Sequence, residues 1–380
     1  GLCCLNRMDT ILLFLPGLIL VWWVFARGGS SSMNGPLQPH AAATSELPRS
    51  LALGVRTDVR RRFVSSTALI ACGLLPVALW MAFATVYYGF PFPNTAYAKL
   101  NNGADAPRML QQGWFYLLNS FRLDPLTPMV LIAGMLSPIA LRTRPAWAIG
   151  IGVWLYMAYV MRIGGDFMSG RMLAAPLLAY VVLLTSVIRL PASSALPALA
   201  IVLVVGLSNP WTPLNKLDDY LTGITLIDPH GIADERFVYS PHTRLVDAPM
   251  RRTLVDHPYI EQGVEYRKQA ELRGGTVAIE CGTLGFIGTT CGPRVFLIDE
   301  HGLADVFLAR MPVRADSEWR IGHFSRVIHG GYEDSIESGE NRLSDPRLGK
   351  MLDQAWLITR GELFSMERVL AIIEANQRGL

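Results

Sequence analysis

The sequence is poor in the residues that build metal centres and disulfide-rich folds. Its 380 residues include five cysteines and seven histidines, and none of these are paired at the short spacings of structural zinc sites. The glycines at 282, 285 and 288 lack the spacing of a nucleotide-binding fingerprint, and the chain has no internal repeat and no basic tail. These absences exclude zinc modules and dinucleotide-binding folds, so we predict no metal site and no nucleic-acid partner.

Charged residues are also scarce, at 17% of the chain, and they are unevenly distributed. Residues 1–207 contain 15 Lys/Arg and 6 Asp/Glu, whereas residues 208–380 contain 19 Lys/Arg and 25 Asp/Glu. The overall charge of +3 therefore combines +9 in the first part with −6 in the second. We expect a multi-span α-helical membrane domain over residues 1–207, followed by a soluble extracytoplasmic α/β domain over residues 208–380.

Apolar runs dominate the first part, and six of them predict transmembrane helices. Several are at or below the roughly 17 residues needed to cross a bilayer, so their ends must use flanking residues. The runs are Thr10–Ala26, Thr67–Tyr88, Met129–Leu141, Ala146–Met161, Met172–Ile188 and Ala195–Leu207.

Basic residues set the expected orientation of these helices. The connection between the first two runs contains Arg60, Arg61 and Arg62, which the positive-inside rule assigns to the cytoplasm. Alternation then assigns residues 89–128, residues 162–171 and the C-terminal part to the outer side. We therefore expect a multi-pass protein of the cytoplasmic membrane. The chain does not begin with Met, and its first apolar run already begins at Thr10. We therefore also expect that upstream helices are missing from this chain.

The second part has the pattern of an α/β domain. Val277–Ile279 and Val295–Ile298 are short buried-strand patterns, and Leu363–Asn376 has helical spacing of apolar residues. Between the two strands, Cys281 and Cys291 are ten residues apart, in a domain expected outside the cytoplasm. Oxidising conditions there permit a disulfide between them.

One polar segment lies between two of the apolar runs. Residues 164–171 include Asp166 and Arg171, and ionisable residues next to membrane helices are functional-site candidates by default. Residues 88–99, which are rich in aromatics and prolines, add Lys99 together with Asn94 and Thr95. Lys99 and Arg171 suit a phosphate group, and Asp166 suits a sugar hydroxyl or the role of a catalytic base. A short polar turn between two helices is the alternative interpretation.

A second polar block follows the second predicted strand. It contains Asp299, Asp305, Arg320, His323 and Arg326, and the last three lie at spacings of three that share a face if the segment is helical. We weigh ligand binding evenly against a salt-bridge network that involves the two aspartates. Asp299 also has the placement of a helix cap or turn residue.

Four ordered motifs carry a family resemblance. They are Tyr-Gly-Phe-Pro-Phe-Pro-Asn-Thr-Ala-Tyr-Ala-Lys at 88–99, Gly-Gly-Asp-Phe-Met-x-Gly-Arg at 164–171, Asp-x-x-Gly-Leu-Ala-Asp at 299–305 and Trp-Arg-Ile-Gly-His-Phe-x-Arg at 319–326. With these motifs, from about residue 5 to its end, the chain resembles the family of the terminal arabinofuranosyltransferase AftB and the flagellar motor control protein ZomB.

The resemblance implies a GT-C-type membrane fold and transfer of arabinofuranose from a polyprenyl-phosphate donor to an envelope glycan. From their charge and placement we expect donor-binding residues among Asn94, Thr95, Lys99, Asp166 and Arg171, and the second polar block is a candidate for acceptor binding. GT-C enzymes usually place the catalytic aspartate in the first outside loop, which we expect this chain to lack. No cofactor is implied, and a requirement for a divalent cation stays open.

Two other functions remain as alternatives. The resemblance to ZomB permits a non-catalytic envelope or flagellar motor control protein. A transporter is the weakest alternative, because the charges lie in predicted outside loops and the two halves show no repeat.

Overall fold

The computed structural model describes residues 4, 7–26, 49–100, 103–187, 191–209, 226–235, 239, 242 and 257–379. These residues are mostly helical, and they separate into two compact units. The first unit comprises Gly1–Trp80, Met109–Gly165 and Ser169–Lys216. The second comprises Met81–Arg108, Asp166–Met168 and Leu217–Leu380. The second unit thus includes two short segments from the apolar first part of the chain.

The first unit is built from apolar helices. They are α1 (Thr10–Ala26), most of α2 (Arg49–Tyr88), most of α4 (Ala106–Leu123), α5 (Leu126–Leu141), α6 (Arg144–Arg162), α7 (Ala174–Val187) and α8 (Ala192–Ser208); the short α3 (Asn94–Leu100) belongs to the second unit. Small residues allow close helix contacts: Gly152 of α6 faces the backbone of Leu13, and Gly134 of α5 faces the ring of Tyr180.

All six predicted apolar runs lie on helices over their described residues. Among those residues, one helix, Arg60–Tyr88, is long and apolar enough to cross a membrane. A second candidate arises if Ala106–Leu123 and Leu126–Leu141, which are bent by 119°, form one broken span. Thr10–Phe25, Arg171–Ser186 and Ser193–Ser208 are shorter apolar helices. The expected six spans and their orientation therefore stay predictions.

The second unit contains two small sheets and several short helices. Its elements are β1 (Leu226–Ile227), β2 (Ala233–Asp234), α9 (Pro258–Arg273), β3 (Val277–Cys281), α10 (Gly285–Thr290), β4 (Val295–Asp299), a 3-10 turn (Leu308–Arg310), α11 (Tyr332–Ser338), α12 (Pro346–Arg360) and α13 (Met366–Arg378). Strands β3 and β4 are parallel, in the register Val277 opposite Val295, and β1 and β2 are antiparallel. Both strands predicted from the sequence are confirmed. The predicted division into a membrane and a soluble domain at residue 207 stays a prediction.

The predicted disulfide is absent, because Cys281 and Cys291 are free thiols. The Cys281 thiol at the end of β3 donates a hydrogen bond to the carbonyl of Thr283, at 3.1 Å. Cys291 is buried at the end of α10, in the apolar cluster with Ala270 and Ile287. Burial raises the pKa of both thiols, so the reactive thiolate form is disfavoured.

A buried arginine fixes the end of α2 to the C-terminal helices within the second unit. Arg368 of α13 is 1% exposed, and its guanidinium donates to the carbonyls of Val86, Tyr87, Ile358 and Leu363 at 2.8–2.9 Å. The carbonyls at a helix C-terminus have no intrahelical partner and carry partial negative charge, so a cation there is favourable. Arg368 therefore provides hydrogen-bond donors for carbonyls in the last turn of α2 and in the turn before α13.

Replacing Arg368 with Met should lower the unfolding free energy by about 3 kcal/mol or more, because four buried carbonyls lose a charged donor. For a unit of this size we expect the Tm in detergent to fall by about 6–12 °C. The exposed Arg378 on the same helix is the matched control, and its change to Met should leave the Tm almost unchanged. Equal melting of the two variants would contradict this role.

Candidate functional site

The loop that follows α6 presents the carboxylate predicted from the sequence. Gly164 and Gly165 both have positive φ angles, of 77° and 73°, which end the helix and turn the chain sharply. Asp166 follows and is 1% exposed. The loop is then held in the second unit, where the amide of Ala233 donates to the carbonyl of Phe167 at 2.7 Å. The carboxylate thus sits in a fixed loop rather than on a free turn.

Lys99 supplies the positive charge opposite this carboxylate. It lies near the end of α3, with its Nζ 3.7 Å from Oδ1 of Asp166, and its side chain is 35% exposed. Gly322, with φ +80°, leaves room for the lysine, since a Cβ at that position would lie 2.7 Å from Cε of Lys99. An ion pair with one buried and one accessible member can bind a polar ligand through the accessible cation.

Two imidazoles and a guanidinium complete the group. The ring of His323 lies 3.9 Å from that of Phe167 and 4.9 Å from that of His301, measured between ring centroids. Arg320 lies over the ring of Phe167 at 5.0 Å and forms an ion pair with Glu235 at 2.5 Å. We call Lys99, Asp166, Phe167, His301, Arg320 and His323 the Asp166 cluster. Each of the four sequence motifs contributes to it.

Burial and neighbouring cations keep the two imidazoles neutral. Burial, with Arg320, His301 and Lys99 nearby, lowers the pKa of His323 to about 3. Burial also lowers the pKa of His301, although Glu300 and Asp299 oppose this shift. The Nδ1 atoms of both rings are buried and make no hydrogen bond to the described residues. At neutral pH each imidazole is therefore an uncharged group with an unused ring nitrogen.

The two aspartates of the second polar block serve local structure. Asp299 ends β4 and accepts hydrogen bonds from the amides of His301 and Ala304. Asp305 accepts from the amides of Phe307 and Leu308 and from the hydroxyl of Tyr332. Burial raises the pKa of Asp305. The turn or cap interpretation thus describes both residues, and their predicted binding of an acceptor stays a prediction.

The three basic residues of that block do not share a helix. Residues 319–326 form turns and a short bridge. The common face that the three residues would share on a helix is therefore not present. Arg320 pairs with Glu235 rather than with an aspartate of the block. Arg326 is buried, and its guanidinium donates to the carbonyls of Met311 and Ala98, the latter next to Lys99. Arg326 therefore positions the end of α3, whereas Arg320 and His323 remain with Asp166.

The other predicted residues lie at different places. Asn94 begins α3, half-buried, and its Nδ2 has no hydrogen-bond partner among the described residues, while Thr95 is exposed. Arg171 is exposed at the start of the 3-10 turn Arg171–Leu173 and belongs to the first unit. Their predicted contacts with a donor remain predictions.

Sequence reasoning missed three members or partners of the cluster. Phe167 and His301 lie inside the quoted motifs. Their positions close to Asp166 and Asp299 in the sequence could have identified them as site candidates. Glu235 lies far from any motif, and nothing local in the sequence indicates its pairing with Arg320. Over the described residues, no group of three or more His, Cys, Asp or Glu side chains is arranged to hold a metal ion.

Comparison with known proteins gives one informative similarity. The chain is 36% identical over 130 residues to a terminal β-(1→2)-arabinofuranosyltransferase of Corynebacterium glutamicum. The match covers 29% of this chain and 18% of that protein, so the chain accounts for a small part of its relative's length. No family model matches the chain, and no solved structure does. An arabinofuranosyltransferase-like relationship is supported over this limited region.

The low pKa of His323 predicts acid sensitivity. The unfolded chain binds a proton at this histidine near pH 6.5, whereas the folded chain binds it only near pH 3. The contribution of His323 to stability is therefore full above pH 6.5 and decreases as the pH falls toward 3. The Tm of the native protein should fall between pH 7.5 and 5, and His323→Gln should make this fall smaller.

The matched control is His329→Gln, which changes a histidine outside the Asp166 cluster and should keep the native pH dependence. Thermal melts at a series of pH values measure both variants. The prediction is wrong if His323→Gln and His329→Gln change the pH dependence equally.

Proposed function

We propose that the chain is a glycosyltransferase that transfers a sugar, arabinofuranose, from a polyprenyl-phosphate donor to an envelope glycan. The similarity to an arabinofuranosyltransferase supplies the class of reaction. The observation that carries the site is the ion pair of Lys99 with the buried Asp166, at 3.7 Å, around which all four motifs contribute side chains. The helix Arg60–Tyr88 supports placement in a membrane, where a polyprenyl donor resides.

The reaction requires charge control at both ends of the transferred sugar. The bond between the anomeric carbon and the phosphate oxygen breaks, and the lipid phosphate leaves with the electron pair. A new bond forms from the acceptor oxygen to the anomeric carbon, and the hydroxyl proton goes to a base. In this proposal the ammonium of Lys99 stabilises the departing phosphate, and Asp166 binds the sugar or the acceptor hydroxyl.

The acceptor is assigned to the outer part of the same cluster. Arg320 is 22% exposed, so its guanidinium can donate hydrogen bonds to hydroxyl groups of a glycan, and the half-buried, neutral His323 lies beside it against Phe167. Asp299, Asp305 and Arg326 would support this surface from behind through their bonds to backbone groups. We place the reaction on the outer side of the cytoplasmic membrane, in a multi-pass protein with an extracytoplasmic C-terminal domain.

The test uses the complete protein in detergent, with synthetic decaprenyl-phosphate-arabinose and an arabinan acceptor. We expect Asp166→Asn to lower kcat by about 100-fold or more, because the carboxylate acts on the reacting groups. Lys99→Gln should raise the KM for the donor about tenfold, because a phosphate contact is lost. Mass spectrometry of the lengthened acceptor and of the released lipid phosphate measures both effects.

The control variants are Asp316→Asn and Lys268→Gln, which change exposed side chains of the second unit outside the Asp166 cluster. Both should keep native kinetic constants. If the native protein neither binds the donor nor lengthens the acceptor, the enzymatic proposal is overturned in favour of the non-catalytic envelope or motor-control function. If it is active but Asp166→Asn keeps full activity, the reaction stands and the site assignment fails.

A further inference from the structure

The last helix has two apolar faces, and only one of them is covered within the second unit. Arg368, Ala371, Ile372 and Ala375 of α13 are buried. The residues at 366, 369, 370 and 373, which also have helical spacing, lie on the opposite face. This face is exposed: Met366 at 70%, Val369 at 37%, Leu370 at 58% and Ile373 at 47%, with the preceding Phe364 at 79%.

The charges of this helix are kept away from the exposed apolar face. Glu367, Glu374 and Arg378 lie along one flank, and Arg378 pairs with Glu374 at 3.9 Å. Arg368 points to the opposite, buried face. The exposed side of the helix therefore carries Glu367, Glu374 and Arg378, with no excess of basic residues. Whatever covers the face therefore meets an apolar strip rather than a charged one.

The position of α13 identifies what covers this strip. Arg368 binds the carbonyls of Val86 and Tyr87, and Asn376 binds that of Gly89, so α13 lies against the end of α2. The helix Arg60–Tyr88 is long and apolar enough to cross a membrane. Exposed aromatic side chains surround this end, as is typical of a membrane–water interface. They are Phe83, Tyr87, Tyr88 and Phe92, at 46–52% exposure.

We propose that the exposed face of α13, with Phe364, is a membrane-contact surface that lies in the headgroup and acyl boundary of the leaflet where α2 ends. This inference rests on the membrane placement in the proposed function. It adds a lipid-facing element at the C-terminus, far in sequence from the apolar first part. Because the exposed side of the helix has no excess of basic residues, its contact with lipid depends on apolar area and not on attraction to anionic headgroups.

The structural consequence concerns the Asp166 cluster. Lys99 lies on α3, a few residues beyond α2, and α13 holds the end of α2 through Arg368. If α13 rests on the leaflet surface, the segment 86–100 is fixed at a defined depth beside that surface. A donor whose phosphate lies at the headgroup level would then reach Lys99 without leaving the bilayer.

A photo-crosslinking experiment tests the proposal in the complete protein, reconstituted into phosphatidylcholine vesicles. Benzoylphenylalanine replaces Leu370 on the apolar face or, as the control on the charged flank of the same helix, Arg378. After irradiation, mass spectrometry quantifies peptides that carry phospholipid. We expect the adduct yield at position 370 to exceed that at 378 at least about fivefold, with the same result in vesicles that contain anionic lipid.

A third probe, at the exposed Phe83 of α2, distinguishes a failure of the membrane-contact surface from a failure of the membrane placement. Phospholipid adducts at 83 with equal yields at 370 and 378 would overturn the membrane-contact surface alone. Adducts at 370 to another protein chain would also overturn it. The absence of adducts at both 83 and 370 would overturn the membrane placement, and with it the proposed function.

Discussion

Two buried guanidinium groups hold the second unit together, and the candidate site depends on them. Arg368 and Arg326 are 1% and 2% exposed, and both donate to backbone carbonyls. An uncompensated buried charge would be strongly destabilising, so each arginine requires its carbonyls in place. Arg368 donates hydrogen bonds to carbonyls at the end of α2, and Arg326 donates one to the carbonyl of Ala98 near the end of α3. The segment from 86 to 98 is thereby fixed to elements more than 200 residues later.

This constraint explains how residues from distant parts of the chain form one cluster. Lys99 follows directly on the carbonyl that Arg326 binds. Asp166 is brought in by the neighbouring Phe167, whose carbonyl accepts from Ala233 and whose ring contacts His323. The result is a carboxylate, an accessible ammonium and neutral imidazoles within one compact unit. Such a set suits a ligand with both hydroxyl and phosphate groups, and this is the chemical basis of the proposed sugar transfer.

Local patterns in the sequence predicted much of the fold. The six apolar runs are helical over their described residues, α2 ends at Tyr88 before the prolines, and both predicted strands are present. Contacts between residues far apart in the sequence could not be predicted from these local patterns. The spacing of Arg320, His323 and Arg326 has a helical period, but Gly322 adopts φ +80° and the segment turns. The apolar spacing of Val369, Leu370 and Ile373 is indeed helical, yet it marks the exposed face. The covered face consists of Arg368, Ala371, Ile372 and Ala375. Composition alone could not show that a buried arginine would donate a hydrogen bond to the carbonyl of a helix residue 282 positions earlier.

The most direct test of the central claim is a cryo-electron microscopy structure of the complete protein in nanodiscs with a non-hydrolysable decaprenyl-phosphonate arabinose. We predict phosphonate density within hydrogen-bond distance of Nζ of Lys99, with the sugar beside Asp166 and the lipid chain along α2. Density for the analogue at any site that excludes both Lys99 and Asp166 would contradict it.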